Sequence, residues 1–336
     1  MQKSGDRILF SASDLVGHLH CRHLTELDLA VADGRLEAPK AWDPFLETLR
    51  ERGARHEARY IDHLKAGGLA VTLIDGVGVD RETAARTREA MAAGAEIIVQ
   101  GAFRSNDWVG RTDVLKKIDA PSDLGPWSYE VVDTKLARET KGGTVLQLCL
   151  YADLVDSAQG RKPESGFVVA PHSGYEAQPY RMDDYGAYFR RVRDSLAEAT
   201  HGGAAATYPD PCEHCEICRC RERCDRRRRD DDHLSLAAGA TKAQIEELKR
   251  RNVDTVAALA AMPLPFPWKP SRGAASSYEK IREQARIQIE GRKAGNLIYE
   301  LLPVEPGFGL ARLPEPSPGD VFFDLEGDPF VGERGL

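Results

Sequence analysis

Tyr129-Glu130-Val131-Val132-Asp133-Thr134-Lys135 is an apolar-rich strand signal that ends on a carboxylate, a hydroxyl and an ammonium. Strand residues two apart project to one face, so Asp133 and Lys135 share a face and Glu130 lies off it. A carboxylate buried at such a strand end costs free energy unless it is paired or bound to a metal. Upstream, Gly110-Arg111-Thr112-Asp113 sits inside a second strand-like run, Trp108 to Ile118, and residues 119–126 read as the hairpin loop between the two. Two carboxylates on neighbouring strands suit a hard cation such as Mg²⁺ or Mn²⁺. The cation polarises a phosphodiester and lowers the pKa of a water, and the lysine can position that water or stabilise developing charge. Thr134 can lend its backbone carbonyl. The plain alternative is a surface Asp–Lys strand pair, since Asp-x-Lys alone is a common tripeptide.

Working outward, Ser13 can cap a helix through Leu15, Leu19, Leu24 and Leu27 that carries Cys21. A second helix is predicted from Asp43 to about Lys65, ending at Gly67-Gly68 and carrying His56. Leu69 to Ile74 reads as a buried strand, Arg81 to Ala92 as a helix, and Glu96 to Ala102 as the strand before the pair above. Thr144 to Asp156 has helical spacing through Val145, Leu148, Tyr151 and Leu154. Gly166 to Ala170 is a short strand, and a helix from about Asp183 to Thr200 leads into Gly202-Gly203. Helices, a β-meander, a helix, a strand and a helix make an α/β domain around a mixed sheet.

In order, Gly110-Arg111-Thr112-Asp113, Val131-Val132-Asp133-Thr134-Lys135 and Gln147-Leu148-Cys149-Leu150-Tyr151 resemble the RecB-type branch of the PD-(D/E)XK nucleases. His56, in Arg52-Gly53-Ala54-Arg55-His56-Glu57, matches that family's upstream histidine. The resemblance implies a restriction-endonuclease-like core. It implies metal ligation by His56, Asp113 and Asp133, water activation by Lys135, and positioning by Gln147 and Tyr151. Gln147 and Tyr151 are four apart and share a helix face.

Of the seven cysteines, Cys212, Cys215, Cys218, Cys220 and Cys224 fall within one short stretch. A cluster this dense in a cytosolic chain points to a metal site rather than to disulfides. Cys215-x₂-Cys218-x₅-Cys224 offers three thiolates, and Cys21 is the natural distant fourth. One far cysteine plus this trio resembles the iron–sulfur staple of RecB-like exonucleases, which implies a [4Fe–4S] cluster on Cys21, Cys215, Cys218 and Cys224. Thiolates also suit zinc, and a zinc site from Cys212, Cys215, Cys218 and Cys220 is the structural alternative. Cys149 reads as a small core residue.

The length, 336 residues, suggests about two domains. With 42% hydrophobic and 29% charged residues the composition is that of a soluble protein. No run approaches the ~18 apolar residues of a membrane span, and Met1 to Asp6 lacks the apolar core of a signal peptide, so a cytoplasmic protein is expected. The net charge of −7 gives no global support for nucleic-acid binding. Arg219, Arg221, Arg223 and Arg226 to Arg229 form a local basic patch that can neutralise phosphates, or a solvated run balanced by Asp230 to Asp232.

Beyond the cysteines, Thr241–Arg251 and Val253–Ala261 resemble a helix-hairpin-helix unit, a DNA contact or a plain packing module. A proline-rich linker, a helix near Ser277 to Glu290, and a strand at Asn296 to Leu302 follow. Phe322-Phe323-Asp324-Leu325-Glu326-Gly327 looks like the first motif of an RNase H-like exonuclease, truncated and therefore expected to be inert at Asp324 and Glu326. The expected organisation is a nuclease domain over 1–232, a helical module with linker over 233–270, and a linker with a truncated exonuclease start over 271–336. The whole order resembles a bacterial RecB-like group that continues into an RNase H-like domain and often a helicase. These readings imply a metal-dependent exonuclease acting on single-stranded DNA or DNA ends, in repair, recombination or defence. The alternative is a non-catalytic DNA-binding or scaffold module with a structural Fe–S or zinc site.

Overall fold

The computed structural model describes residues 1–39, 43–76, 78–201 and 206–327. Gly202, Gly203 and residues 328–336 of the expected truncated segment lie outside the described residues. The chain divides into two compact units, Met1–Leu236 and Ala237–Leu336.

The first unit opens with a small hairpin, β1 (Gln2–Ser4) and β2 (Arg7–Leu9), turned at Gly5. Two helices follow, α1 (Ala12–His20) and α2 (Arg22–Ala32), then the long α3 (Pro44–Ala66). The sheet and its covering helices come next: β3 (Val71–Leu73), α4 (Arg81–Ala92), β4 (Ile97–Ser105), β5 (Trp108–Ile118), β6 (Ser128–Thr134), α5 (Gly142–Gln159), β7 (Ser165–Val169), β8 (Ala177–Arg181) and α6 (Met182–Thr200). The unit closes with α7 (Arg221–Asp230).

The six strands pair in the order β3-β4-β5-β6-β7-β8. Pairs β3/β4 and β6/β7 are parallel and the others antiparallel, so the sheet is mixed. Alternation sorts each strand between two cores. Ile98, Leu115, Tyr129 and Val131 face the layer that holds α5 and α6. Ile97, Val99, Val114, Val132 and Val169 face Tyr60 and Leu64 of α3. Helix α5 is buried on nearly all sides, through Val145, Leu146, Leu148, Leu150, Ala152 and Val155, which is why its sequence is apolar around the whole helix. Cys149 is one of these core residues. Gly110 lets α5 approach β5: a Cβ there would meet Leu154 Cδ1 at 2.6 Å and Tyr151 Cε1 at 2.9 Å.

Helix α3 runs from the Asp43 cap, whose side chain accepts from Phe45 and Leu46 N–H, to Gly67. α4 and β5 match their predicted bounds. Three expectations are corrected. The first predicted helix breaks at Cys21, which caps both α1 and α2 in an extended conformation. The strand predicted as buried over 69–74 is a three-residue edge strand with Leu73 56% exposed. Among the described residues, 296–302 forms no strand and its Leu297, Leu301 and Leu302 are exposed.

The second unit holds α8 (Lys242–Arg250), α9 (Val256–Ala260) and α10 (Ala275–Ala294). Thr241 caps α8 as its spacing predicts, and Asn252 takes a positive φ of 61° in the turn after it. Tyr278 of α10 gives its hydroxyl to Glu247 of α8 at 2.8 Å and packs edge-on against Trp268, across the expected boundary at 270/271. Val321 to Glu326 carry no regular structure and are exposed. Among the described residues no helix is long and apolar enough to cross a membrane.

Candidate active site and cysteine cavity

The last residue pair of the β5/β6 ladder is Val114↔Val132, so Asp113 and Asp133 stand one step beyond it on neighbouring strands. There the strands part. Asp113 Oδ2 holds the opening by accepting from Thr134 N–H at 2.8 Å and from Thr134 Oγ1 at 2.9 Å. Asp133 is fully buried on the α5 face. Its Oδ1 accepts from Gln147 Nε2 at 3.3 Å, and the same nitrogen donates to Tyr151 Oη at 3.0 Å. Its Oδ2 lies 2.5 Å from the Lys135 ammonium but receives no well-directed hydrogen bond.

Burial pushes the Asp133 carboxyl up to about 7, with the Asp113 charge adding to the rise and Lys135 opposing it. Tyr151 is raised by burial and then by Asp133 and Asp113, so it stays a neutral phenol. His56, on α3, is buried, and its Nε2 lies 3.0 Å from Val169 O. That carbonyl also accepts from Lys135 N–H at 3.1 Å, which joins α3 to the end of β6. A carbonyl can only accept, so Nε2 is the donor in this contact.

One carboxylate that sequence reasoning passed over is also here. Glu57 is half-buried on α3, and its pKa is raised by burial and then by Asp113. The sequence quoted it beside His56, but neighbours on a helix point different ways and nothing in the motif marked it.

The cysteines converge as well. Cys21, Cys212, Cys215, Cys218, Cys220 and Cys224 line one small cavity with Leu24, Leu27 and Arg228. The break between α1 and α2 turns Cys21 into it. Polar ties lock α2 to the cysteine segment: Glu26 Oε2 accepts from Thr207 N–H at 3.0 Å, and Arg219 pairs with Asp28. Cys212 and Cys215 sulfurs are 3.8 Å apart. The Cys220 thiol donates towards Cys218, pulling Cys218 down to about 6 and pushing Cys220 up. Burial raises Cys212 and Cys224 to about 11. Cys212 and Cys220, which the zinc alternative used, line the same cavity as the other four.

A cleft of about 1260 Å³ lies beside the acidic pair. Gln147, Tyr151 and Lys141 line one part of it, and Arg219, Arg221, Arg223 and Arg226 of the cysteine segment line another. Neither aspartate lines the cleft; Gln147, which does, bonds to Asp133.

Residues 19–225 match the PD-(D/E)XK nuclease superfamily. The chain belongs to that superfamily. The match starts just before Cys21, ends just after Cys224, and contains every acidic-site residue above. The six-stranded mixed sheet flanked by helices is the core that a PD-(D/E)XK nuclease requires. No curated protein matches the chain.

PD-(D/E)XK nucleases typically use Mg²⁺ or Mn²⁺. The acidic site fits such an ion by donor type: Asp113 and Asp133 offer hard oxygens, and the Lys135 ammonium, 2.5 Å from Asp133 Oδ2, already holds positive charge there. Among the described residues no group of three or more His, Cys, Asp or Glu side chains is placed to hold a metal ion. The six cysteines share their small cavity with Asp210, His214, Arg221 and Arg228.

Proposed function

We propose that this nuclease is a metal-dependent DNA exonuclease of the RecB-like branch, acting on single-stranded DNA or DNA ends. The observation that carries the reading is Asp133: a fully buried carboxylate beside Asp113, with Gln147 on its Oδ1 and the Lys135 ammonium 2.5 Å from its Oδ2. A fold keeps such a group against its desolvation cost when a cation is to offset it.

In this reading Asp113, Asp133 and His56 would hold the divalent cation. When bound, the cation supplies Lewis acidity to the scissile phosphate and lowers the pKa of a water. Gln147 orients the Asp133 carboxylate and is itself held by Tyr151. Lys135 neutralises charge on Asp133 and, with the cation in place, is available to the attacking water or the phosphate. Lys141, Arg223 and Arg226 in the cleft give a phosphodiester backbone positive partners despite the acidic whole-chain charge.

Cys21, Cys215, Cys218 and Cys224 hold a [4Fe–4S] cluster in the same reading, and Cys212 and Cys220 line its wall. Such a group would close a loop of roughly two hundred residues and fix α1 and α2 against α7. A helicase acting in tandem fits the same assignment, in DNA repair, recombination or defence.

The test uses anaerobically purified protein and compares end-labelled linear with circular single-stranded DNA in Mn²⁺. Release of short products from the linear strand alone supports the exonuclease. Cutting of the circle makes it an endonuclease, and no metal-dependent cutting leaves a binding module. Iron analysis and visible absorbance decide the cluster: a colourless preparation with one zinc removes it.

A further inference from the structure

The end of α1 and the short helical turn Glu213–Ile217 meet in the cleft through two imidazoles that the mechanism above leaves unused. The His20 and His214 rings stack in parallel, with 5.5 Å between centroids and 2° between planes. His20 is exposed even so. Each imidazole has an apolar neighbour in its own element. Leu19, 36% exposed, and Ile217, 54% exposed, line the same cleft. A single exposed aliphatic side chain is ordinary on a protein surface. Here two of them and a pair of flat rings are gathered in one cleft.

The cleft also has a charged part. Arg223 and Arg226 of α7 are exposed in it, and Lys141 stands at the start of α5. Two of the acidic residues that line it are already neutralised, Asp14 by the Met1 ammonium and Asp28 by Arg219. A polyanion that carries flat apolar faces matches both parts, with phosphates for the cations and bases for the rings. In a duplex each base face is covered by its neighbours in the stack. An unpaired strand can splay its bases onto imidazole and aliphatic surface.

We infer that Leu19, His20, His214 and Ile217 form a nucleobase platform that makes the cleft select unpaired strands over duplex. The inference deepens the nuclease reading, on which its substrate rests, and its test separates the two. Binding to the full chain is measured by fluorescence anisotropy without added divalent cation. The probes are a labelled thymidine oligonucleotide, an abasic strand of the same length and charge, and a duplex. Wild type should bind the thymidine strand about tenfold more tightly than the abasic one. The double variant His20→Ala, Ile217→Ser should shrink that preference to about twofold or less, while its affinity for duplex and its salt slope stay at wild-type values, because no phosphate partner is removed. His20→Phe keeps a flat ring and should keep the preference. Equal affinity of wild type for the thymidine and abasic strands, or no binding to either, overturns the inference. So does a preference that survives the double variant. If the preference behaves as stated but no strand is cut in Mn²⁺, the nuclease reading falls and the platform stands.

Discussion

At the scale of single residues, the Asp133 carboxylate sets the chemistry and also carries a cost. Its folded-state pKa, about 7, lies above the ordinary value near ~3.9 of an unfolded aspartate. The protonated form is therefore the one the metal-free fold favours. Its contribution to stability is fully present below about pH 4 and is lost as pH rises through about 7. Asp133→Asn should thus raise the melting temperature of metal-free protein at pH 8, by about 2–4 °C for a gain on the order of 1 kcal/mol, while abolishing cleavage. At pH 4 the gain should vanish. A fall in melting temperature at pH 8 would mean that the Lys135 pairing outweighs burial. The Asp113, Asp133, Lys135, Gln147 and Tyr151 set was legible because each residue type and its spacing carry a recognisable order. The Glu57–Gln100 hydrogen bond was not: it joins a left-handed Gln100, and glutamine, unlike glycine or asparagine, does not advertise that conformation in a sequence.

At the scale of elements, Gly110 shows how packing serves the site. It brings α5 close enough to β5 for Gln147, held by Tyr151, to reach Asp133. Gly110→Ala should cost about 1–3 kcal/mol by overpacking against Leu154 and Tyr151. It should also lower cleavage, although the position carries no chemistry; unchanged melting and turnover would show that α5 can shift freely. The β4–β5–β6 meander and the helices were readable because long periodic runs dominate their own conformation. Three failures have local causes. The leucine spacing across Leu19 and Leu24 continues through Cys21, but the chain breaks there to turn the thiol inward. Edge strand β8 contains Pro179 and polar residues, a composition that hides a strand. Leu69 to Ile74 looked buried by composition, yet it lies at the sheet edge, where one neighbour is missing.

At the scale of the whole molecule, every proposed site residue lies within Met1–Leu236. A fragment ending after Leu236 should keep metal-dependent cleavage, measured against the full chain at equal concentration; complete loss would give the second unit a part in the reaction. The cleft arginines should control affinity for DNA more than the cutting step. Changing Arg223 and Arg226 together to alanine should flatten the log–log salt dependence of single-strand binding by about 1.4, the counterions of two phosphates. An unchanged slope would place the strand elsewhere. If the proposed cluster is bound, Cys21→Ser should weaken its visible absorbance and loosen α1 and α2 from α7, lowering the melting temperature. The fold class and the order of the acidic site were legible across this whole span because they follow from local pattern and motif order. The gathering of six cysteines was only half legible, since sequence distance cannot say which thiols share a cavity.

The most direct measurement is nucleotide release from end-labelled single-stranded DNA in Mn²⁺ by wild type and Asp133→Ala, purified side by side without oxygen. Metal-dependent release by wild type, abolished by EDTA and reduced at least about a thousandfold in the variant, is the predicted result. Equal release by the two proteins would contradict the assignment of the active site.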